Sequence, residues 1–459
     1  MNRRDNSAHF FPFAALVALV LLLSLPTIRY GYLLEDYKYL RSYSGREVIK
    51  TFLSHWEPTR TETKGYRPLH SVQYALFYLL LGGNPIRNHL LQIILLVTIV
   101  LLLYALIFRF TGGRSLAFWA AFIYPCLSTT AWQVSWLVNR QHLLLVIFFL
   151  STLICYDRYL LSGSRVSAVF SFVFFLLALL LKEAMVTIPF ITLGYALIIR
   201  KKNLRSQIKP LLPFFLILVP FLIIRARIVG DFPKEHAHPP PLPRSAGALI
   251  RKYSLAGVGT LVQSQGIRDR THDFPIYDDG PGNPQDYIGL IAAAGLFVIG
   301  GALLFRRGSS RQKRAFLFGL TVFLIANALV AAWYRTNRLF ISSVGVALMV
   351  GVLAAESFKC FFPGNDIRRK AAGLITLAFF AVYIAVNLSA FLEIQRALRP
   401  DGFLSLTWDL WVREEYQHWV EHDDLYLLKE EQLLLFKEKL RRTGRGDWAD
   451  TIPHPPDND

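Results

Sequence analysis

The sequence predicts an all-α polytopic membrane protein: a bundle of about eleven transmembrane helices with a large outward first loop and a short helical C-terminal tail. Three observations carry this. Apolar runs close to the length that crosses a bilayer as a helix recur along the 459-residue chain. The composition is 53% hydrophobic and 14% aromatic but only 18% charged, too little charge for a soluble domain of this size. The formal net charge of +18 is unevenly spread: from Glu393 onward there are 9 Lys/Arg against 15 Asp/Glu, leaving 41 basic and 17 acidic residues before it. Much of that excess sits in short turns between apolar runs, the orientation bias of membrane proteins, so nucleic acid is not the expected partner.

Taken in order, the chain opens with MNRRDNSAHFFPF, the charged start of a signal peptide. The apolar stretch 10–28 is nevertheless long enough to span and lacks a small-residue cleavage site, so it reads as a retained first span. Further spans fall at 88–108, 115–131, 142–160, 166–181, 184–200, 210–229, 287–305, 315–333, 339–357 and 372–392. Pro125 interrupts the third. The segment 69–82 is too short to cross and reads as a re-entrant or interfacial helix. Basic residues alternate from turn to turn: Arg3/Arg4, Arg109/Arg114, Arg158/Arg165, Arg200–Lys202 with Arg205, Arg306/Arg307 with Arg311 and Lys313, and Arg368–Lys370. Placing them all in the cytoplasm gives one topology, with the N-terminus inside and the C-terminus outside. The membrane module is thus 1–392, with outward loops 29–87 and 230–286. An outward tail, 393–459, holds amphipathic helix between about Trp408 and Leu440 and ends in a disordered piece. The 230–286 loop is turn-rich, with one helix expected between about Ala246 and Gln263. Cys126, Cys155 and Cys360 have no metal-like spacing, and no disulfide framework is expected.

The outward turns carry the candidate chemistry. Glu35 and Asp36 stand a few residues past the first span, flanked by Tyr32, Tyr37 and Tyr39. Adjacent carboxylates at a membrane surface can supply a general base or bind a cation; a solvated loop start is the plainer reading. Aromatic residues at that depth build interface belts and also sugar-binding walls. Tyr66 and Arg67, then Arg87 and His89, put basic residues on an outward face, against the orientation bias; an anionic lipid phosphate and ordinary headgroup contact both account for them. Trp132, Trp136 and Arg140 form an Arg set between aromatic residues, able to clamp a phosphate or to snorkel as an anchor. Lys182 and Glu183 lie between two spans with almost no loop, either as a mutual ion pair or in use. Trp333, Tyr334, Arg335 and Arg338 repeat the theme.

Together these residues resemble a known family. The order is the acidic pair, YRPL at Tyr66–Leu69, NHLL at Asn88–Leu91, and W-x3-W-x3-R-x-x-LL from Trp132. An L-L-x-K-E turn ending at Glu183 and NRLFISSVG at Asn337–Gly345 complete it. This resembles the GT-C superfamily of polyprenyl-phosphate-sugar-dependent glycosyltransferases. The likeness is strongest to the membrane half of the transmembrane and tetratricopeptide repeat O-mannosyltransferases and their bacterial relatives. It covers about 30–345 and implies a GT-C-like bundle. It also implies a first-loop carboxylate that activates the acceptor hydroxyl, matching Asp36 with Glu35 beside it, and cations at Arg140, Lys182, Arg338 and Arg335 for the donor phosphate. Tyr37, Tyr66, Arg67, His89, Trp136 and Glu183 are then the expected substrate contacts. Three departures stand out: His142 where relatives often carry an acid, Glu-Asp rather than Asp-Asp or Asp-Glu, and no tetratricopeptide array in the tail.

The expected function is inverting transfer of a sugar from a polyprenyl-phosphate donor to a hydroxyl of a protein, lipid or glycan on the outer face, with Asp36 as base. The short tail and the lack of a eukaryotic targeting signal favour a bacterial inner membrane, with a periplasmic active site, over an endoplasmic reticulum. A transporter, flippase or polymerase-like handler of polyprenyl-linked saccharides is the alternative, and a non-catalytic scaffold the third. A transporter should carry ionisable residues near mid-membrane, whereas the charges here sit at span ends. No cofactor is required. Asp273, Asp278, Asp279 and Asp286 keep a divalent cation in play, though their Gly/Pro setting suits a solvated turn.

Overall fold

The computed structural model describes residues 3–33, 36–54, 66–230, 261, 284–330, 340–359, 367–399, 430–442 and 445–451. Among them every regular element is helical. The first span is α1 (Arg3–Ser24), continued by a 3-10 turn, Leu25–Arg29, with Pro26 in its first turn, where a missing N–H costs nothing. The first loop then forms α2 (Asp36–Tyr39), α3 (Gly45–Leu53) and α4 (Pro68–Leu81). A capping box starts α3: Ser44 Oγ accepts from the Glu47 N–H at 3.2 Å, and Glu47 Oε2 accepts from the Ser44 N–H at 2.7 Å. In α4, His70, Ser71, Gln73 and Tyr74 turn inward while Leu76, Leu79 and Leu80 are exposed, as an interfacial helix requires.

The apolar runs follow as helices. They are α5 (Pro85–Thr111), α6 (Arg114–Cys126), α7 (Ser128–Ser135), α8 (Arg140–Ser162), α9 (Arg165–Leu181), α10 (Ile188–Gly194) and α11 (Leu204–Gly230). Then come α12 (Pro284–Gly295), α13 (Gly301–Arg307), α14 (Ser310–Val330), α15 (Phe340–Lys359) and α16 (Ile367–Leu398). Two tail helices, α17 (Glu430–Arg442) and α18 (Gly446–Thr451), end the described chain. Gly112 and Gly163, at φ of 70° and 68°, stop α5 and α8 in the left-handed conformation open to glycine. Seven segments are long and apolar enough to cross a membrane, making this an integral membrane protein; Arg165–Leu181 and Glu183–Ile199 are apolar but shorter.

Three boundaries differ from the expectation. The third run is not one helix: past Pro125, α6 ends at Cys126, Leu127 is extended, and α7 starts afresh. The run at 184–200 is composite, a 3-10 turn (Glu183–Thr187), α10 and a π turn (Tyr195–Ile199). The last span continues as helix to Leu398 rather than stopping near 392. The helix expected at 246–263 and most of the tail before Glu430 lie outside the described residues.

Successive helices run up and down, so the bundle has two ends. At one, Tyr30 Oη donates to the Gln395 carbonyl and Gln395 Nε2 to the Leu23 carbonyl, both at 2.9 Å, joining the first span to the last. At the other, Arg311 reaches the Thr111 carbonyl at 3.3 Å and Arg314 the Ile199 carbonyl at 2.9 Å. The basic turns at 109, 200 and 311, read from sequence as sharing one side, do share this end. The core runs through α15, buried over its whole membrane length. It packs on α6 and α14 through small residues: a Cβ on Gly351 would lie 2.5 Å from Ala120, and one on Gly345 2.6 Å from the Gly319 carbonyl.

Candidate functional site

The break after α6 builds the site. Between Leu127 and Arg140 the chain makes only two turns of α-helix and one of 3-10 helix (Leu137–Asn139), so its amides and carbonyls are not consumed by a long ladder. Every residue from Ile123 to Leu143 is buried. This corrects the expectation of an outward surface turn at 132–141. That segment is interior, overlaid by the first loop and by the start of α15.

From Trp136 to His142, almost every residue is gripped by a different element. The Trp136 carbonyl accepts from Gln92 Nε2 at 3.2 Å. The Val138 N–H donates to Asp36 Oδ1 at 2.8 Å, and the Val138 carbonyl accepts from Tyr74 Oη at 2.5 Å. Asn139 Nδ2 donates to the Trp132 carbonyl at 2.9 Å. Arg140 Nη2 donates to Asn88 Oδ1 at 2.7 Å, Gln141 Oε1 meets His70 Nδ1 at 2.9 Å, and His142 Nε2 lies 2.7 Å from Lys182 Nζ. One irregular stretch thus gathers side chains from α2, α4, α5 and the α9–α10 junction.

Asp36 is fully buried at the start of α2. Besides the Val138 amide on Oδ1, its Oδ2 accepts from the Leu33 N–H at 2.9 Å. These amides fix the position of the carboxylate. Arg140, the first residue of α8, is also fully buried, with its guanidinium 5.1 Å from the centre of the Phe77 ring. The anchor reading is therefore corrected, since a snorkelling Arg keeps its head in water. Nη2 is bound to Asn88, while Nε and Nη1 are buried with no hydrogen-bond partner among the described residues. A cation at a helix N-terminus also opposes the helix dipole. Unpartnered N–H groups on a buried cation, at a helix end that favours negative charge, make a place for an anion.

Lys182 and Glu183 are not a mutual pair. Glu183 takes both prongs of Arg67, at 2.7 and 2.6 Å, tying the first loop to the α9–α10 junction. Lys182 turns to His142, whose ring stacks on Phe340 at 4.5 Å, and its ammonium lies 5.0 Å from the centre of that same ring. Burial lowers the His70 pKa well below its usual value, with Arg67 adding to the shift and Gln141 opposing it. Burial likewise raises the Tyr66 hydroxyl, which donates to the Phe52 carbonyl at 3.2 Å.

Of the residues singled out from sequence, Asp36, Arg140, Lys182 and Trp136 meet around the 136–142 stretch, with Arg67 and Glu183 locked together beside it. Tyr37 faces away, its ring edge-on to Phe436 of the tail at 5.3 Å, and His89 sits buried in the first turns of α5 beside Tyr30. Glu35, Arg335, Arg338, Asp273, Asp278 and Asp279 lie outside the described residues, as does the Asp286 side chain. Among the described residues no three His, Cys, Asp or Glu converge as a metal site would need. Sequence reasoning passed over Asn88, Gln92, His70, Tyr74 and Gln141. Asn88 and Gln92 did carry a signal, as amides one helical turn apart in an otherwise apolar helix.

No protein-family profile and no curated protein sequence matches the chain. Solved structures share its fold. The archaeal oligosaccharyltransferase AglB from Archaeoglobus fulgidus, in complex with an inhibitory peptide and a dolichol-phosphate, superposes with a TM-score of 0.50 at 15% identity, covering 93% of this chain and 60% of that one. The Archaeoglobus fulgidus oligosaccharyltransferase tethered to an acceptor peptide containing the NVT sequon gives 0.52 at 14% identity, covering 91% and 59%. The chain spans about three fifths of the length of these proteins. What is shared is the fold.

Proposed function

We propose that the chain is a membrane glycosyltransferase that moves a sugar from a polyprenyl-phosphate donor to an acceptor hydroxyl. The observation that carries this reading is Arg140: a wholly buried guanidinium with two N–H-bearing nitrogens unfilled, on the same short stretch that anchors Asp36 and meets Lys182 through His142. A buried cation kept half-satisfied is costly, and a phosphate leaving group is what would satisfy it. The shared fold supports this, since one protein of that fold holds a dolichol-phosphate and an acceptor peptide has been tethered in another.

The step is a single displacement. The acceptor oxygen attacks the anomeric carbon while the bond from that carbon to the phosphate oxygen breaks, inverting the centre. The acceptor proton passes to Asp36, held in place by the Val138 and Leu33 amides. The charge released on the phosphate is taken by Arg140 Nε and Nη1 and by Lys182, with Arg335 and Arg338 assigned to the same group by the family likeness. Of the first-loop tyrosines, Tyr66, next to the Arg67–Glu183 pair, is assigned to sugar or acceptor. The Asp36 end of the bundle is then the outer, periplasmic face, and the donor enters from the bilayer.

The test is transfer of labelled sugar from polyprenyl-phosphate donors in proteoliposomes. Asp36→Asn should abolish turnover while retaining donor binding, and Arg140→Gln should weaken both. Full turnover in Asp36→Asn would overturn the assignment of the base. Movement of the lipid-linked sugar across the membrane with no transfer would replace the transferase reading by a transporter.

A further inference from the structure

A cavity of about 560 Å³ lies between the end of the first span, the first loop, the α4–α5 turn and tail helix α17, and Asp36 is not among its lining residues. Asp36 directs its carboxylate to Val138, whereas the next residue, Tyr37, lines the cavity. The tail helix closes the cavity by a specific seat. Phe436 and Leu440 are fully buried, the former edge-on to Tyr37, and Lys439 Nζ donates to the Tyr32 carbonyl at 3.0 Å.

The charge of this cavity is unbalanced. Arg29, Lys439 and Arg442 line it, and the one carboxylate among its lining residues, Glu438, pairs with Arg442. The remaining wall is aromatic, from Tyr30, Tyr32 and Tyr37, the usual mixture for an orienting apolar surface with a few fixed polar contacts. Ile28 and Ile86 carry the wall onto the sides of α1 and α5, where Leu25 and Leu90 are exposed, so the mouth adjoins surface suited to acyl chains.

We propose that this cavity binds a phosphate-bearing ligand, either the headgroup of an anionic lipid or a soluble phosphorylated saccharide, between Arg29 of the first span and Lys439 and Arg442 of the tail helix. Arg forks match phosphate oxygens two at a time, and the excess of cations over carboxylates among the described lining residues suits a phosphate group. The tail helix thereby becomes part of a binding site, with no repeat array needed for the purpose. The inference stands apart from the transferase reading, because it concerns Arg29, Lys439 and Arg442 rather than Asp36 and Arg140 and is tested by binding alone.

The experiment uses the full chain in phosphatidylcholine nanodiscs. Phosphatidylglycerol is added by exchange and bound lipid counted by native mass spectrometry; glycerol 1-phosphate is titrated calorimetrically in parallel. The variant is Arg29→Gln/Arg442→Gln, which leaves the Lys439–Tyr32 contact and the buried Phe436 untouched. Wild type should prefer phosphatidylglycerol, or bind glycerol 1-phosphate, about tenfold more tightly than the double variant. Retention in the lipid arm alone assigns a membrane headgroup, and in the soluble arm alone a free phosphate. Glu438→Gln, which removes the opposing charge, should tighten binding. Equal binding by wild type and double variant in both arms, or weaker binding by Glu438→Gln, would overturn the proposal.

Discussion

The two ends of α8 each bury a charge, and they settle it in opposite ways. Both charges oppose the helix dipole, Arg140 at the N-terminus and Asp157 near the C-terminus, so neither is held by the helix itself. Asp157 is saturated. One oxygen accepts from Tyr195 Oη at 2.8 Å and Arg200 Nε at 2.6 Å, the other from Arg109 Nε at 3.1 Å. Three helical segments are pinned by it, and nothing is left to bind. Arg140 is pinned at Nη2 and open at Nε and Nη1. A satisfied buried ion holds a structure together, whereas a partly satisfied one is a cost that only a ligand offsets. On the proposed function, the difference separates scaffold from site within one helix.

The strongest way to break this comparison is Asp157→Asn. It leaves two guanidinium groups without their counter-ion and should cost about 3–5 kcal/mol of stability, with specific activity of the surviving folded protein unchanged. Reversible unfolding in mixed micelles, with turnover normalised to folded protein, reads both. If Arg140 is instead a ligand group, Arg140→Gln should lower turnover about 10²–10³-fold while leaving stability within about 1 kcal/mol of wild type. Large destabilisation by Arg140→Gln would put both ends of α8 in the same structural class.

The comparison extends to pH. His70 braces Gln141 beside Arg140, and burial, reinforced by Arg67, depresses its pKa when folded. It is neutral in the native state, so the unfolded chain binds the extra proton as pH falls. Its contribution to stability is complete above the ordinary histidine pKa near 6.5. Below it, stability should fall by up to about 1.4 kcal/mol per pH unit until the folded-state pKa is reached. Unfolding measured between pH 7.5 and 5 should show a slope steeper in wild type than in His70→Gln. At the other end, Tyr195→Phe removes one of the donors to Asp157 and should cost about 1.5–3 kcal/mol of stability, with no change in the donor KM.

Much of this was legible in the sequence. Runs of apolar residues are a one-dimensional signal, and the helices stand where the runs are, with the basic turns at 109, 200 and 311 gathered at one end. Asp36, Arg140 and Lys182 were visible as charged residues at span ends beside aromatics. The partnerships were not. Lys182 beside Glu183 suggested a mutual pair, yet Glu183 goes to Arg67, 116 residues away in sequence, and Lys182 to His142. Burial of 132–141 was hidden for a related reason: tryptophans, amides and an Arg read the same in an interfacial belt as in a core sealed by another loop. Asp157 was the available clue left unused, an acid well inside an apolar run, which ordinarily marks a paired or working group.

Helix α15 has a consequence for how the protein comes to exist. Its residues from Phe340 to Ser357 are surrounded on all sides, with backbone drawn against Ala120 and Gly319 so closely that no side chain fits between. During synthesis this segment leaves the translocon into lipid, its apolar character recommending it to a solvent it will later abandon. Every lipid contact it makes is then exchanged for protein, and because acyl chains are as apolar as leucine, the exchange is driven by fit alone. Earlier helices must already be waiting with a groove of the right width, and the helices that follow can only close over it. The membrane module is therefore assembled around its tenth apolar run as a single cooperative unit, which chain-splitting at the 331–339 segment would disrupt rather than divide into stable halves.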